Sequence, residues 1–210
     1  MALTRLSADL DLSHRRRWPG RPFRFAHALW LLIVSPGLWL LSVHRLSHWW
    51  VGQRSANQAG GWRRYLIGLP IGVLEWLCKV ATKSDLLESS DIEGGVCMDN
   101  RGCIILGAKR IGAGTVIGAR TTIGMGLGDR GLPDIGRNVW IGSDCVVYGT
   151  IRIGDGATLL PGTTLSKSIP SGVVMQGNPA RMVLGDFDNT PLRFQPELDS
   201  AEYIAARRST

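Results

Sequence analysis

At 210 residues, with 44% hydrophobic and 20% charged positions, the chain has a folded rather than a disordered balance and room for one large or two small domains. Its net charge of +7 is uneven: residues 1 to 82 hold eleven Lys+Arg against three Asp+Glu and seven of the eight tryptophans, whereas residues 83 to 210 stand at −1. Cys78, Cys97, Cys103 and Cys145 have no C-x-x-C spacing, which suggests neither a zinc ribbon nor a disulfide framework and fits a reduced, cytoplasmic setting.

In chain order, residues 1 to 24 are polar and carry Arg15, Arg16, Arg17, Arg21 and Arg24. Phe25 to Val43 then runs nineteen positions without a formal charge, enough to reach about 28 Å as one helix. Ser35, Pro36 and Gly37 interrupt it, so the stretch predicts two short helices or an interfacial anchor, with a single transmembrane helix as the alternative. The long Arg-rich lead and the lack of a small-residue cleavage site argue against a signal peptide. With Trp30, Trp39, Trp49 and Trp50 beside it, the basic cluster reads as a contact with anionic lipid on the cytoplasmic side, or as a solvated leader. No helix-turn-helix, zinc-finger or RNA-binding motif accompanies these arginines, so no nucleic-acid partner is expected.

Tyr65 to Val80 is a second apolar segment, carrying Glu75 and Lys79, that can pack back on the first. His44 and His48 are four apart and share a helix face, the spacing of a helical metal pair. No third ligand stands near them, so packing or capping is expected and no metal.

From Ile105 to Leu165 an aliphatic residue returns every sixth position, at ten of eleven places, and only Asp129 breaks the series. A period of six fits neither a helix nor an ordinary amphipathic strand; it fits a solenoid of short flat faces, each with one inward anchor. Glycine usually follows the anchor, as at Gly112, Gly118 and Gly142, and suits a corner. Four places on, Thr115, Val139, Cys145 and Ala157 are small or aliphatic, while Arg137, Asn138, Asp144 and Arg152 read as solvated. Eighteen residues per coil give roughly three and a half coils from Ile105.

This repeat resembles that of the left-handed parallel β-helix acyltransferases, and the left hand is what the resemblance implies. Pro36 to Trp50 resembles the helix preceding the β-helix in serine acetyltransferases and their relatives in exopolysaccharide gene clusters. The expected fold is mainly β, a left-handed parallel β-helix behind an α-helical N-terminal region. Its parts are a basic, Trp-rich region at 1–82, the β-helix at 83–183 and a tail at 184–210, with a short helix expected near Pro196. The family builds its sites between adjacent subunits, so a homotrimer is implied.

Gly177-Asn178-Pro179-Ala180-Arg181 is similar to the closing G-x-P-A-[RK] segment of hexapeptide acyltransferases, where coenzyme A is held. The resemblance implies acetyl-CoA as cosubstrate, with Arg181, Ser143, Gly162 and Lys167 as cofactor-binding residues and Arg181 suited to phosphate. Met98-Asp99-Asn100-Arg101-Gly102 lies where serine acetyltransferases carry Asp-His, the histidine being their general base. Here that place holds Asn100, and Asp129-Arg130-Gly131 lies where the second motif histidine follows Asp-Arg. Asp99 and Arg130 match the positions that hold the acceptor; both histidines are gone, and asparagine takes up no proton near neutral pH.

Two functions are open on this basis. One is an acyl-CoA-dependent O-acetyltransferase on an amino-acid or saccharide hydroxyl, peripheral to the inner face of the cell membrane, with Asp99 and Asn100 as its catalytic pair. The other is a non-catalytic scaffold or regulatory relative in a membrane-associated polysaccharide assembly system.

Overall fold

The computed structural model describes residues 2–55, 63–195 and 198–208. Four helices come first: α1 (Ala2–Arg17), α2 (Phe25–Val34), α3 (Pro36–Ser55) and α4 (Arg63–Thr82). The apolar run breaks where Ser35-Pro36-Gly37 interrupts it. Ser35 leaves helical geometry at φ −105° and ψ 96°, and Pro36 opens α3 with its ring preset for a first turn. The helices α2 and α3 consequently meet at 91°, and no single described helix is long and apolar enough to cross a membrane. The second apolar segment does pack back: Gly68 of α4 lies against the Trp50 indole, where an added Cβ would stand 3.1 Å from Nε1.

The remaining chain coils as a left-handed parallel β-helix with three flat sheets. The five-stranded sheet stacks β1 (Asp85–Leu86), β4 (Ile105–Leu106), β7 (Thr122–Gly124), β10 (Val146–Tyr148) and β13 (Thr164–Leu165). The four-stranded sheet stacks β2 (Asp91–Ile92), β5 (Arg110–Ile111), β8 (Asp134–Ile135) and β11 (Arg152–Ile153). The third stacks β3 (Cys97–Met98), β6 (Val116–Ile117), β9 (Trp140–Ile141), β12 (Thr158–Leu159) and β14 (Val174–Gln176), with β15 (Arg181–Leu184) added antiparallel. Two short helices, α5 (Thr190–Phe194) and α6 (Ser200–Arg208), follow; Pro196 lies outside the described residues.

The six-residue anchors fill the axis, with Ile111, Ile117, Ile135, Ile141 and Ile153 each 0% exposed. The first anchor is a correction. Ile105 points outward at 55% exposure, and Leu106 takes the inward place beneath Ile123. The coil also starts earlier than Ile105, because Leu86, Ile92 and Met98 keep the same period before the longer turn at residues 99 to 104.

The three outer faces differ in chemistry. The four-stranded sheet is charged: Glu93 accepts from Arg110 Nε at 3.1 Å, from the Ala113 N–H at 3.0 Å and from Arg137 Nε at 3.2 Å. Burial pushes the Glu93 carboxyl up, but these donors outweigh it and take the group from its ordinary 4.5 down to about 2. A depressed carboxyl stabilises the fold above its unfolded pKa and loses that contribution as pH falls through the folded one. Acid titration between about 4.5 and 2 should therefore narrow the stability gap between wild type and Glu93→Gln, a gap of about 1 kcal/mol at neutral pH given how exposed the arginines are. Melting curves at pH 7 and pH 3 check this; a gap independent of pH contradicts it.

The outer face of the five-stranded sheet is mixed, with Ile105, Val146 and Tyr148 exposed beside Asp85 and Thr122. The third sheet is covered by α1 and α3 at its first coils, and by Leu192, Leu198 and Tyr203 of the tail higher up. One buried pair fastens the helices to the coil. Asp9 of α1, 0% exposed, accepts from Arg45 Nε at 2.7 Å and Nη2 at 2.9 Å, and from the N–H groups of Gly95 and Val96 at 2.8 and 3.0 Å. Arg45 of α3 also donates to the carbonyls of Ile92 and Glu93 at 3.0 and 2.9 Å.

Candidate active site

Because the N-terminal helices cover the lower coils and the tail covers the upper ones, a gap of about 410 Å³ is left over the third sheet. Its floor is the end of β3 with the outer faces of β6 and β9, including Trp140. One wall is the C-terminal turn of α1 with Arg16 and Arg17; another is the α2–α3 corner, with Trp30, Val34 and Gly37. Leu192, Gln195 and Leu198 of the tail close the remaining side, tied down where Arg16 donates to the Arg193 carbonyl.

Asp99 and Asn100 stand at one end of this cavity, in the turn from the third sheet to the five-stranded one. The approach of α3 to this turn depends on a glycine. A Cβ on Gly37 would lie 2.3 Å from the Met98 carbonyl oxygen, and the Gly37 N–H donates to Asn100 Oδ1 at 3.3 Å. The asparagine oxygen thus serves the first turn of α3. Asp99 is occupied as well: Oδ1 accepts from the Arg101 N–H at 2.8 Å and from its Nε at 3.1 Å, and Oδ2 accepts from Nη2 at 3.1 Å. Burial raises the Asp99 carboxyl, but the Arg101 hydrogen bonds and charge outweigh that and hold it below the usual carboxylate range. A carboxylate so held is a weak proton acceptor.

Ser143 lines the other end of the cavity, in the same column of turns two coils further on. Its carbonyl accepts from the Gly162 N–H at 3.0 Å, so these two residues stack. Gly162 needs its glycine, at φ +76°. The Gly177 to Ala180 turn continues the column, with the Thr164 N–H on the Gly177 carbonyl at 3.0 Å and the Ala180 N–H on Thr164 at 3.1 Å. Arg181 follows it, exposed, opposite Gln176. Asp99, Asn100, Ser143, Gly162 and the start of β15 therefore share one edge of the coil.

Arg130 and Lys167 do not join them. Both are exposed in turns leaving the five-stranded sheet toward the four-stranded one, the neighbouring edge of the coil. The loop bearing Arg130 is anchored by Asp129, which accepts from the N–H groups of Gly131 and Thr150 at 2.9 and 2.7 Å and from Thr150 Oγ1 at 2.6 Å. His44 is away from the cavity: it is buried, sits within 3.2 Å of the Ser90 carbonyl and stacks on His48 at 6.1 Å, and burial pushes it down to about 4. Among the described residues no cluster of three or more His, Cys, Asp or Glu is placed to hold a metal.

Arg16, Arg17 and Trp30, which the sequence reads as part of a lipid-facing or solvated cluster, line the cavity, as does Trp140, to which the sequence gives no role. The run Arg15 to Arg17 was visible only as charge. Trp140 had a sharper signal, since it is the lone tryptophan after residue 82 and sits at an outward repeat position beside the anchor Ile141.

Residues 133–167 match the bacterial transferase hexapeptide (six repeats) model, and residues 110–130 match the hexapeptide repeat of succinyl-transferase. The chain is 25% identical over 184 residues to the serine acetyltransferase of Synechococcus elongatus, covering 85% of this chain and 67% of that protein. It is 31% identical over 107 residues to serine acetyltransferase 4 of Arabidopsis thaliana, covering 47% of this chain and 29% of that one. The chain thus spans about two thirds of the first relative and under a third of the second. The serine acetyltransferase structure from Vibrio cholerae superimposes with a TM-score of 0.74 at 21% identity, over 95% of this chain and 71% of that one. The hexapeptide anchors along the axis and these matches over residues 110–130 and 133–167 support a hexapeptide-repeat acyltransferase family for this chain.

Proposed function

We propose that the protein is an acetyl-CoA-dependent O-acetyltransferase of the serine acetyltransferase-like type, with the family's catalytic histidine replaced by Asn100. The observation that carries this reading is the shared edge: Asp99 and Asn100 at one end of the cavity, and Ser143, Gly162 and the turn before Arg181 along the same column. An acceptor oxygen at the Asn100 end attacks the thioester carbon, the C–S bond breaks, and the thiolate takes up the proton that the hydroxyl gives up. With Asn100 turned to α3 and Asp99 held by Arg101, water carries that proton and the rate rests on positioning. Thiol release from acetyl-CoA with and without hydroxylated acceptors tests the proposal; a rate equal to the protein-free blank in every case overturns it.

The Asn100 to Gly37 hydrogen bond also favours a second reading, a scaffold relative that keeps the fold and the ligand edge without turnover. Acetyl-CoA binding without thiol release would select it.

Assembly and setting belong to the same proposal. The outer face of the five-stranded sheet, which exposes Ile105, Val146 and Tyr148, is the surface for a homotrimer, in which Arg130 of one copy would reach the Asp99 edge of the next. A monomer by light scattering in mild detergent would contradict that arrangement. We place the trimer on the cytoplasmic face of a membrane, a polysaccharide assembly system being the setting of the scaffold reading. Support comes from α4, whose inward face carries Glu75 on Ser47 and Lys79 on Asp85, while Leu66, Leu69, Val73, Trp76 and Val80 point outward. Such an apolar stripe inserts at an interface, with the basic N-terminal region drawn to anionic lipid. The full chain should pellet with phosphatidylglycerol vesicles, and Leu69→Glu with Trp76→Glu should cut binding at least about tenfold even in 0.5 M salt. Unchanged pelleting of that variant would contradict membrane insertion by α4.

A further inference from the structure

The chemistry of the cavity narrows the acceptor. Three arginines, Arg16, Arg17 and Arg101, line it against a single carboxylate, Asp99, a formal charge of +2. Arg101 and Asp99 satisfy each other. Arg16 uses one N–H group on the Arg193 carbonyl, Arg17 lies over the Trp30 ring at 5.8 Å, and neither forms a salt bridge among the described residues. Two guanidinium groups from the last turn of α1, both lining the cavity, suit a phosphate or carboxylate, and the unbalanced double charge suits a dianion best.

A zwitterionic amino acid fits this lining poorly. Its ammonium needs a carboxylate, and the charge of Asp99 is already paired with Arg101. Trp30 and Trp140 add flat apolar faces of the kind on which a sugar ring stacks, and about 410 Å³ is room for a phosphorylated sugar.

We infer that the acceptor is a hydroxyl-bearing phosphate monoester, with its phosphate on Arg16 and Arg17 and its hydroxyl turned to the Asn100 end of the cavity. This rests on the acyl-transfer reading of the same site. The phosphate can belong to a soluble sugar phosphate or to a lipid headgroup, since the α2–α3 corner that forms one wall is apolar on its outer side at Phe25, Leu29 and Ile33.

Quenching of tryptophan fluorescence in the full chain supplies the test. The probes are glucose 6-phosphate, glucose, L-serine, and phosphatidylcholine vesicles with or without phosphatidylinositol 4-phosphate. At least one phosphate monoester should bind about tenfold or more tightly than glucose and serine, and Arg16→Gln with Arg17→Gln should remove that preference while acetyl-CoA affinity stays within about twofold. If the pair of changes lowers the melting temperature, Arg17→Gln alone serves, because its head lies over the Trp30 face and forms no salt bridge among the described residues. Binding of the soluble monoester assigns a free acceptor, and binding of the vesicle-borne one alone assigns a lipid. Serine binding as tightly as the monoesters overturns the inference, as does loss of acetyl-CoA rather than monoester binding in the arginine variant. Acetyl-CoA affinity measured on the same samples separates the two levels: no acetyl-CoA binding defeats the acyltransferase reading itself, whereas acetyl-CoA binding with indifferent monoesters defeats only this inference.

Discussion

Asn100→His is expected to raise acyl transfer by about 10² to 10⁴-fold, the usual contribution of a positioned general base. The turn that carries Asn100 is at the cavity edge, and an imidazole there acts as base by giving up the Gly37 N–H that now bonds the asparagine oxygen at 3.3 Å, since a neutral ring that accepts on one nitrogen carries its proton on the other. Arg16 and Arg101 in the lining favour the neutral ring, which is the form that takes a proton. The gain should fall on kcat with acetyl-CoA affinity little changed, because the column of turns at Ser143 and Gly162 is a coil or more away. Asp99→Asn should reduce wild-type turnover by less than about tenfold, since Arg101 holds that carboxylate down and leaves it a positioning role. A hundredfold loss in Asp99→Asn would instead make Asp99 the base.

The largest expected effect on stability comes from Asp9→Ala. The Asp9 carboxylate receives four donors in a fully buried position, and removing it leaves Arg45 charged and buried among the carbonyls of Ile92 and Glu93. Breaking one side of such a pair costs about 3–5 kcal/mol, whereas replacing both members with apolar groups of similar size is often nearly neutral. Asp9→Leu with Arg45→Met should therefore recover much of what Asp9→Ala loses in urea unfolding. A loss below about 1 kcal/mol in the single change would mean that the pair is hydrated and only loosely tied. The functional consequence follows from position: α1 carries both Asp9 and the arginines of the cavity wall, so loosening it should weaken anion binding before the β-helix unfolds.

The β-helix was legible because its core obeys a strict local rule, one inward aliphatic every six residues, which the buried series from Ile111 to Leu165 follows except in the longer turn at 125–133, where Asp129 is exposed. The rule failed where the chain departs from it. The turn at residues 99 to 104 is longer than a standard corner, which shifts the register, turns Ile105 outward and hides the three earlier anchors Leu86, Ile92 and Met98. That same irregular turn carries Asp99 and Asn100. The break at Ser35–Pro36 was legible from proline chemistry, but its use was not, because the contact of Gly37 with Met98 joins residues sixty-one positions apart. The cavity was likewise out of reach of sequence reasoning: Arg16, Trp30, Trp140 and Leu198 meet only through packing of α1 and the tail on one sheet.

The most direct test of the acyltransferase account is acceptor-dependent thiol release from acetyl-CoA by the wild-type chain, followed over hours with Asn100→His in parallel. Slow release that rises with acceptor concentration, and that the histidine variant accelerates, is the expected result. Release at the protein-free rate in both proteins, with acetyl-CoA unbound, would contradict the account.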